Sequence, residues 1–245
     1  MEDNCYHKMY TNEERHWWFR SKIDITRSLI EKFIGDIGGK KVLDAGCGTG
    51  FLSKSVVPEM GDIWAVDNCG LSLSYAEKRG HKNIFSADLG KDLPFESSSF
   101  DLCLCMDVIE HNEDDAAITR ELARVLKSGA TLIATVPAMR SLWGPQDEKL
   151  GHYRRYGTGD FKKLFEENFE IKKISYFNFF LFPVIYLIRK IFNLAPGLLR
   201  QRDELDINSK FFNNLLYNIF HLESHLLKYA DLPFGVSVVI VAQKK

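Results

Sequence analysis

Short apolar runs alternate along this chain with segments in which apolar residues recur every three or four positions. Runs of the first kind predict buried strands, and segments of the second kind predict helices that cover them. Strands that alternate with helices predict one Rossmann-like, doubly wound α/β sheet of seven strands. The predicted strands lie at Val42–Leu43, Ile63–Val66, Ile84–Ala87, Phe100–Met106, Ala130–Val136, Phe169–Tyr176 and Gly235–Ala242. The predicted helices lie at Phe51–Val57, Leu71–Gly80, Glu113–Leu126 and Thr158–Asn168.

The amino-terminal segment carries an apolar stripe of its own. Thr11 and Glu14 form a T-x-x-E capping box, which predicts a helix that begins before Trp17. The three aromatic residues after His16 cannot all face one core on a helix. At least one of them is therefore expected to lie over a ligand or an interface. The alternative is that they only wedge the helix against the sheet.

The stretch VLDAGCGTG predicts a nucleotide-binding turn at the end of the first strand. Asp44 stands where that strand meets solvent. Three glycines then allow a tight turn and a close approach of a ligand to the backbone: Gly46, Gly48 and Gly50. Phe51 occupies the place of the third glycine in a dinucleotide fingerprint, which disfavours a nicotinamide cofactor. An ordinary strand-to-helix turn is the alternative.

Two further acidic residues follow strands at intervals that suit a nucleotide. Asp67 ends the second strand, about twenty residues past the first glycine, where a carboxylate accepts hydrogen bonds from both ribose hydroxyls. Asp88 follows the third strand, where it could accept a hydrogen bond from an adenine amino group. Together with the glycine turn, these carboxylates predict a ligand at the carboxyl edge of the sheet.

Five sequence segments, in this order, resemble the class I S-adenosylmethionine (SAM) dependent methyltransferases. They are VLDAGCGTG (42–50), IWAVDN (63–68), SADLGKDLPF (86–95), SFDLCLCMDVIEH (99–111) and ELARVLKSGATLIATVP (121–137). Within that superfamily the chain is most similar to small-molecule and lipid methyltransferases of the quinone-biosynthesis type. The resemblance implies SAM as cofactor, S-adenosylhomocysteine as product, and a sheet whose last strand is antiparallel.

The resemblance also implies a domain organisation and a cofactor site. Residues 1–39 would form a helical lid over the cofactor, 40–176 the SAM-binding core, 177–233 an apolar helical insertion and 234–245 the last strand. The backbone near Met106 would contact the methionine part of the cofactor. The cofactor-binding residues predicted in this way are Trp17, Trp18, Asp44, Gly46, Cys47, Gly48, Gly50, Asp67, Asn68, Asp88, Leu89, Met106, Asp107 and His111.

The segment SLWGPQDEKLGHYRRY, residues 141–156, is predicted to be a long loop that carries the acceptor chemistry. Loops held above a rigid sheet are where substrate residues gather. His152 is the first choice of base for an acceptor hydroxyl or amine, and His111 is the second. Tyr153 could donate a hydrogen bond or stack. The alternative for His111 is a structural role or a place beside the cofactor.

The same segment holds the predicted acceptor-binding residues. Arg154 and Arg155 could hold an anionic group such as a phosphate or carboxylate, and Tyr156 could donate or stack. The alternative is a surface loop whose arginines pair with Asp147 and Glu148.

Residues 171–202 contain no acidic side chain and mix apolar runs with cations, among them Arg200 and Arg202. The longest uncharged stretch, Ile174–Ile188, has 15 residues, which is short of the ~20 that span a bilayer. An apolar segment flanked by cations suits a surface that dips into an anionic leaflet. Phe211–Tyr229 predicts a second amphipathic helix. The alternatives are a cap over the substrate pocket or a dimer interface.

Composition sets limits on the function. The 245 residues are 45% hydrophobic, enough for the core of one domain, and a net charge of −1 gives no reason to expect nucleic acid. The five cysteines lack a C-x-x-C pair or a Cys/His cluster, so no disulfide framework or metal site is predicted. The amino terminus has no secretion signal pattern, which predicts a cytoplasmic protein, with the inner face of the membrane as the second location. No pattern predicts an oligomeric state.

The combined prediction is a SAM-dependent methyltransferase that acts on a small-molecule or lipid-linked acceptor through O, N or C. The alternative is a non-catalytic SAM-binding sensor or scaffold whose apolar cap recruits a membrane or a partner protein. A dehydrogenase is the least favoured hypothesis, because the third glycine is missing.

Overall fold

A seven-stranded sheet forms the centre of the computed structural model, which describes residues 3–59, 61–194 and 209–245. Its strands are β1 Lys41–Ala45, β2 Asp62–Asp67, β3 Asn83–Ser86, β4 Phe100–Met106, β5 Leu126–Pro137, β6 Phe169–Phe177 and β7 Ser237–Lys244. The spatial order is β3-β2-β1-β4-β5-β7-β6. β7 pairs antiparallel with β5 and β6, and the other neighbours pair parallel. The predicted doubly wound sheet with an antiparallel last strand is confirmed.

Helices cover both faces of this sheet. They are α1 Asp3–Asn12, α2 Trp17–Phe33, α3 Phe51–Val56, α4 Gly70–Lys78, α5 Asp115–Val125, α6 Pro145–Leu150, α7 Thr158–Lys163, α8 Phe182–Leu194 and α9 Lys210–Leu226. Leu122 of α5 and Phe161 of α7 belong to the core on one face, and Leu29 of α2 and Phe220 of α9 to the core on the other. The carboxyl ends of the parallel strands are therefore held between two packed layers.

The amino-terminal helices begin at different residues from those predicted. Thr11 lies inside α1, where its hydroxyl donates to the carbonyl oxygen of His7 at 3.0 Å. The T-x-x-E box consequently does not start the next helix, because its threonine hydroxyl is bonded within the preceding one. His16 caps α2 instead: its Nδ1 accepts from the backbone N–H of Trp18 at 3.3 Å.

The predicted loop at 141–156 also differs, since it contains the short helix α6 after a 3₁₀ turn at Arg140–Leu142. The described residues of the apolar insertion include the helices α8 and α9, and α9 packs along α2. The predicted cations Arg200 and Arg202 lie outside the described residues. Within the described ranges, no helix has the length and apolar character needed to cross a bilayer.

Candidate active site

The glycine turn between β1 and α3 is held by backbone hydrogen bonds and by packing. The backbone N–H of Gly46 donates to the carbonyl oxygen of Val66 at 2.8 Å. Gly46 and Gly48 have φ values of +75° and +53°, which favour glycine. A Cβ on Gly46 would lie 2.4 Å from Cγ2 of Val108. This position therefore requires glycine for both its conformation and its space.

Gly50 supports the turn without lining the cavity above it. Its carbonyl oxygen accepts from Nε2 of the buried His81 at 2.9 Å, and a Cβ on Gly50 would lie 2.5 Å from that nitrogen. Sequence reasoning did not single out His81, because one histidine 31 positions away carries no local pattern. Gly50 therefore supports the turn through His81, and its predicted contact with the cofactor stays a prediction.

Asp67, at the end of β2, fixes the turn and faces the cavity. One carboxylate oxygen accepts from the backbone N–H of Gly48 at 2.9 Å, and the other accepts from that of Cys69 at 2.9 Å. A carboxylate offers about four acceptor positions, so Asp67 retains capacity for two hydroxyl groups. Three more predicted cofactor residues line the same part of the cavity: Asn68, Asp88 and Leu89.

Asp44 and Cys47 lie in the floor of this region. Burial raises the pKa of Asp44 to about 7, with Asp67 adding to the effect and a hydrogen bond with Ser53 opposing it. Burial also raises the pKa of the Cys47 thiol well above its usual range. The thiol is consequently protonated at neutral pH, which disfavours a role as nucleophile.

α1 and the residues that follow it lie beside the glycine turn. Glu13 accepts a hydrogen bond from the hydroxyl of Thr49, and Arg79 lies 3.6 Å from the same carboxylate. Residues of α1 that line the cavity are Cys5, Tyr6, Lys8 and Met9. These contacts place the amino-terminal helix where the predicted lid would be.

Both predicted tryptophans line the cavity and also wedge α2 against the rest of the protein. Trp18 stacks on Phe177 at 6.2 Å between ring centroids, and Trp17 lies 5.8 Å from Phe220. Their partners belong to β6 and α9, so the pair borders the side of the cavity away from the glycine turn.

Lys22, which is not among the predicted site residues, holds Asp107 beside the cavity. Nζ of Lys22 lies 2.5 Å from one carboxylate oxygen of Asp107, and the hydroxyl of Thr135 donates to the other at 2.7 Å. Burial opposes ionisation of Asp107, but Lys22 lowers its pKa overall. The available signal was a lysine on the apolar face of α2.

Three titratable groups meet on the opposite wall. Glu110 is fully buried, and burial together with Asp107 raises its pKa well above the usual range. Among the described residues, neither carboxyl oxygen of Glu110 has a hydrogen-bond partner. Burial and then His152 lower the pKa of His111 to about 4, so this imidazole is neutral. One nitrogen or oxygen of Glu110, His111 and His152 lies within 4.8 Å of the others, a spacing at which they could also hold a divalent ion.

His152 is held by the buried Asp147. Nδ1 of His152 lies 2.8 Å from the carboxylate, and Nε of Arg155 donates to the same oxygen at 2.8 Å. Burial opposes ionisation of Asp147, but the hydrogen bond from His152 and the charge of Arg155 lower its pKa overall. His152, Tyr153 and Arg155 line the cavity, and the Tyr153 side chain is 57% exposed.

Two predicted acceptor-binding residues point elsewhere. Nη1 of Arg154 donates to Asp115 at 2.8 Å, and the hydroxyl of Tyr156 donates to the same carboxylate oxygen at 2.9 Å. Neither side chain lines the cavity, and Tyr156 is buried in the core. Arg155 pairs with Asp147, as the surface-loop alternative stated. We therefore leave Arg154 and Tyr156 out of the acceptor site.

One cavity of 1530 Å³ joins these features. We call the part around Gly46, Gly48 and Asp67 the cofactor end, and the part around His152 and the inner side of α8 the acceptor end. Pockets for one ligand usually measure about 300–1,000 Å³, so this cavity has room for a cofactor and an acceptor together. The residues of α8 that line it are Val184, Ile185 and Ile188, of which Val184 is 58% exposed.

The cofactor end fits SAM by its donor and acceptor groups. A Cβ on Gly48 would meet only Met9, at 3.9 Å, so the space over the turn is open to a ligand. The turn presents its backbone there, and the carboxylate of Asp67 stands beside it. These are the groups that a ribose and an amino-acid moiety need.

The comparisons with known proteins agree with this geometry. Residues 43–134 match the family model described as "Methyltransferase domain". The ubiquinone biosynthesis O-methyltransferase of Hahella chejuensis is 36% identical over 138 residues, which cover 51% of this chain and 58% of that protein. The enzyme of the same name from Xanthomonas oryzae is 36% identical over 40% of this chain and 43% of its own length. The chain thus spans about half the length of these curated relatives.

Solved structures share the fold over almost the whole chain. One is the complex of the Haloferax volcanii Trm112 methyltransferase activator and a putative methyltransferase, with a TM-score of 0.63, 15% identity, and coverage of 99% of this chain and 95% of that one. Another is a SAM-dependent methyltransferase from Thermotoga maritima, with a TM-score of 0.60, 17% identity, and coverage of 99% and 96%.

The matched segment contains the glycine turn, Asp67 and Asp88. The chain is thus similar in sequence to methyltransferases over residues 43–134, and it shares its fold with a SAM-dependent methyltransferase over almost its whole length.

Proposed function

We propose that this chain is a methyltransferase that moves the methyl group of SAM to a hydroxyl oxygen of a small, uncharged acceptor with an apolar tail. The observation that carries the proposal is one cavity that joins the cofactor end to His152 and to the apolar side of α8. The relatives named ubiquinone biosynthesis O-methyltransferase support oxygen as the acceptor atom.

The chain's own residues have few tasks in this reaction. SAM supplies a methyl group on a sulfonium, which is a good leaving group. Asp67 and the glycine turn hold the cofactor, and the cavity walls bring the acceptor oxygen into line and exclude water. His152 takes the hydroxyl proton as the oxygen–methyl bond forms and the sulfur–methyl bond breaks. The products of the transfer would be the methyl ether of the acceptor, S-adenosylhomocysteine and the protonated His152.

The charges around the acceptor end favour an acceptor without an anionic group. Lys22 is paired with Asp107, and Arg155 and Arg189 are both paired with Asp147. Each of these cations therefore already has a carboxylate, and an anionic acceptor would have to displace it. A neutral hydroxyl compound faces the neutral imidazole of His111 and the carboxyl group of Glu110, whose pKa burial raises well above the usual range, and it can exchange hydrogen bonds with both.

The first experiment is transfer of radiolabelled methyl from SAM into a cell extract that is then split into organic and aqueous phases. We expect label in the organic phase, because the acceptor end opens at apolar side chains of α8. The Asp67→Ala variant is the matched control and should give little label. Label in the aqueous phase would contradict the proposal that the acceptor has an apolar tail. If the protein binds SAM but transfers no methyl group to the extract or to synthetic phenols and catechols, the sensor hypothesis would be favoured.

We also propose that the outer side of α8 and α9 contacts an anionic membrane, from which the acceptor enters. Large apolar side chains are exposed there, among them Leu187 at 61% and Phe211 at 71%. A group of such side chains beside a cavity mouth is typical of an interaction surface. Arg189, one of the cations within residues 171–202, donates to the carbonyl oxygen of Leu142 at 3.1 Å. The apolar residues are consequently the ones to test.

The test is sedimentation with vesicles of phosphatidylglycerol and phosphatidylcholine. Leu187→Asp together with Phe211→Asp should lower the bound fraction several-fold, because two charges would have to enter the interface. Ser128→Asp, an exposed residue at the amino end of β5, adds a charge away from this surface and should change little. Equal binding of all proteins would reject the membrane surface.

A further inference from the structure

Asp147 collects donors from three separate parts of the chain. It is fully buried, and it accepts from the backbone N–H of Gly144 at 3.0 Å. One carboxylate oxygen faces Nδ1 of His152 and Nε of Arg155, both at 2.8 Å. The other lies 3.5 Å from Nη1 of Arg189, which comes from α8. The carboxylate therefore connects the histidine at the acceptor end with the helix that lines the same end.

The contact with His152 fixes which ring nitrogen is available. A carboxylate that is paired with two guanidinium groups is an acceptor, so the nitrogen facing it carries the proton. In the neutral imidazole, protonation at Nδ1 leaves the lone pair on Nε2. A histidine held in this way is oriented as well as fixed in one tautomer.

We propose that Asp147 is the positioning residue for His152, and that Arg189 ties this carboxylate to α8, so that the base is ordered by the helix that receives the acceptor's apolar part. This inference rests on the proposed function, because it assigns His152 the role of base. Asp147 is fully buried, and in this proposal it acts through His152.

The link through Arg189 has a consequence for acceptors. Ile185 and Ile188 of α8 line the cavity, and Arg189 follows them on the same helix, with its Nη1 also donating to the carbonyl oxygen of Leu142 at 3.1 Å. An acceptor with an apolar tail that packs on α8 would stabilise this helix in the position in which Arg189 contacts Asp147. The contacts of Asp147 with His152 and Arg155 would then be stabilised as well. Binding energy from a remote part of a substrate is then expressed at the reacting centre.

The experiment combines kinetics with nitrogen NMR of the imidazole in the full-length protein. Asp147→Asn should lower kcat about 100-fold, with the acceptor KM and the SAM Kd within about 3-fold, because the amide can hold the other tautomer. The ¹⁵N shifts should show Nδ1 protonated in the wild type and an altered tautomer mixture in the variant. Arg189→Met should lower kcat about 10-fold for a tailed phenol and less for the same phenol without its tail, and Arg189→Lys should restore part of the loss.

Lys173→Met is the control, because it removes a buried cation that pairs with an exposed carboxylate, Asp231, at 2.5 Å and away from the cavity. Unchanged kcat and an unchanged imidazole spectrum in Asp147→Asn would overturn the proposal. If Asp147→Asn does not fold, equal losses with both phenols in Arg189→Met overturn the link. The NMR signal does not depend on turnover, so a wild type with the expected tautomer and no transfer would reject the proposed function alone.

Discussion

The two ends of the cavity are built in different ways. At the cofactor end, backbone groups meet within short stretches of sequence: the N–H of Gly48 reaches Asp67, 19 positions away. At the acceptor end, side chains come from distant segments. Lys22 reaches Asp107 across 85 positions, and Arg189 reaches Asp147 across 42.

This difference has consequences for mutation. A site built by the backbone depends on a few residues of fixed type, chiefly glycines at positive φ. A site built by side-chain pairs depends on each partner, because removal of one leaves the other buried without its counterion. We therefore expect variants at one end to leave the other end largely unchanged, and the following predictions test that separation.

The largest effect is expected for His152→Gln. Loss of a positioned base typically lowers turnover 10²- to 10⁴-fold, and we expect about 10²- to 10³-fold in kcat. The SAM Kd should stay within about 2-fold of the wild type, because His152 lies at the acceptor end. Steady-state kinetics and calorimetric titration measure the two quantities.

His225→Gln is the control for this experiment, since His225 is exposed on α9. The assays are repeated with a chelator, because Glu110, His111 and His152 are spaced so that they could hold an ion. Normal turnover of His152→Gln would remove it as the base. A parallel loss of SAM affinity would show that the two ends are not separable.

The second effect is expected at the cofactor end, for Gly46→Ala. A left-handed conformation costs a non-glycine residue about 1–2 kcal/mol, and the new Cβ would lie 2.4 Å from Cγ2 of Val108. We expect a decrease of about 3 kcal/mol in the free energy of unfolding in urea. Gly39→Ala shares the positive φ, +73°, but its Cβ would meet nothing within 4 Å. A decrease equal to that of Gly39→Ala would mean that packing does not fix the turn.

The sequence predicts the fold, and it predicts that the glycine turn and the acidic residues meet at one edge of the sheet, because both follow from local patterns and chain order. Alternating apolar runs predict strands, and the three acidic residues Asp44, Asp67 and Asp88 each end or follow one of them. The carboxyl ends of parallel strands meet at one edge, so chain order alone brings these residues together. The antiparallel last strand came from the resemblance, since apolar alternation does not report strand direction.

The acceptor end was harder to predict because neighbouring residues there pair with carboxylates of different segments, some of them remote in sequence. Arg155 and Arg154 are adjacent, yet one pairs with Asp147 and the other with Asp115. Two arginines in a loop look alike before the fold brings different carboxylates to each. The predicted start of the second helix was wrong for a related reason. Thr11 is of a residue type that caps helices, but its hydroxyl donates to the carbonyl oxygen of His7 within α1.

The third effect is expected for Asp67→Asn. An amide can replace one carboxylate acceptor but not the charge, and hydrogen bonds to charged groups contribute about 1.5–3 kcal/mol. We expect the SAM Kd to rise about 10- to 50-fold, while kcat at saturating SAM changes little. Asp62→Asn, at the other end of β2, is the control. Equal SAM affinity in both variants would contradict the ribose role of Asp67.

The smallest effect is expected in the pH dependence of the free energy of unfolding, which should differ between a carboxyl group at the cofactor end and one at the acceptor end. The folded pKa of Asp44 is raised to about 7, so between about pH 4 and pH 7 the folded protein holds a proton that the unfolded chain has released. Its contribution to stability is full below the unfolded pKa and is lost as pH rises towards 7. Asp44→Asn removes this loss, and its stability relative to the wild type should rise by about 3 kcal/mol from pH 4.5 to pH 7.5.

Asp147 gives the opposite behaviour at the acceptor end. Its folded pKa lies below the usual value, so its contribution is present above the unfolded pKa and is lost only as pH falls further. The stability of Asp147→Asn relative to the wild type should therefore be constant between pH 4.5 and pH 7.5. Urea unfolding of the ligand-free proteins at both pH values measures the two differences. Equal slopes for the two variants would mean that both carboxyls are ionised in the folded protein, and the contrast between a desolvated acid at one end and a paired acid at the other would be lost.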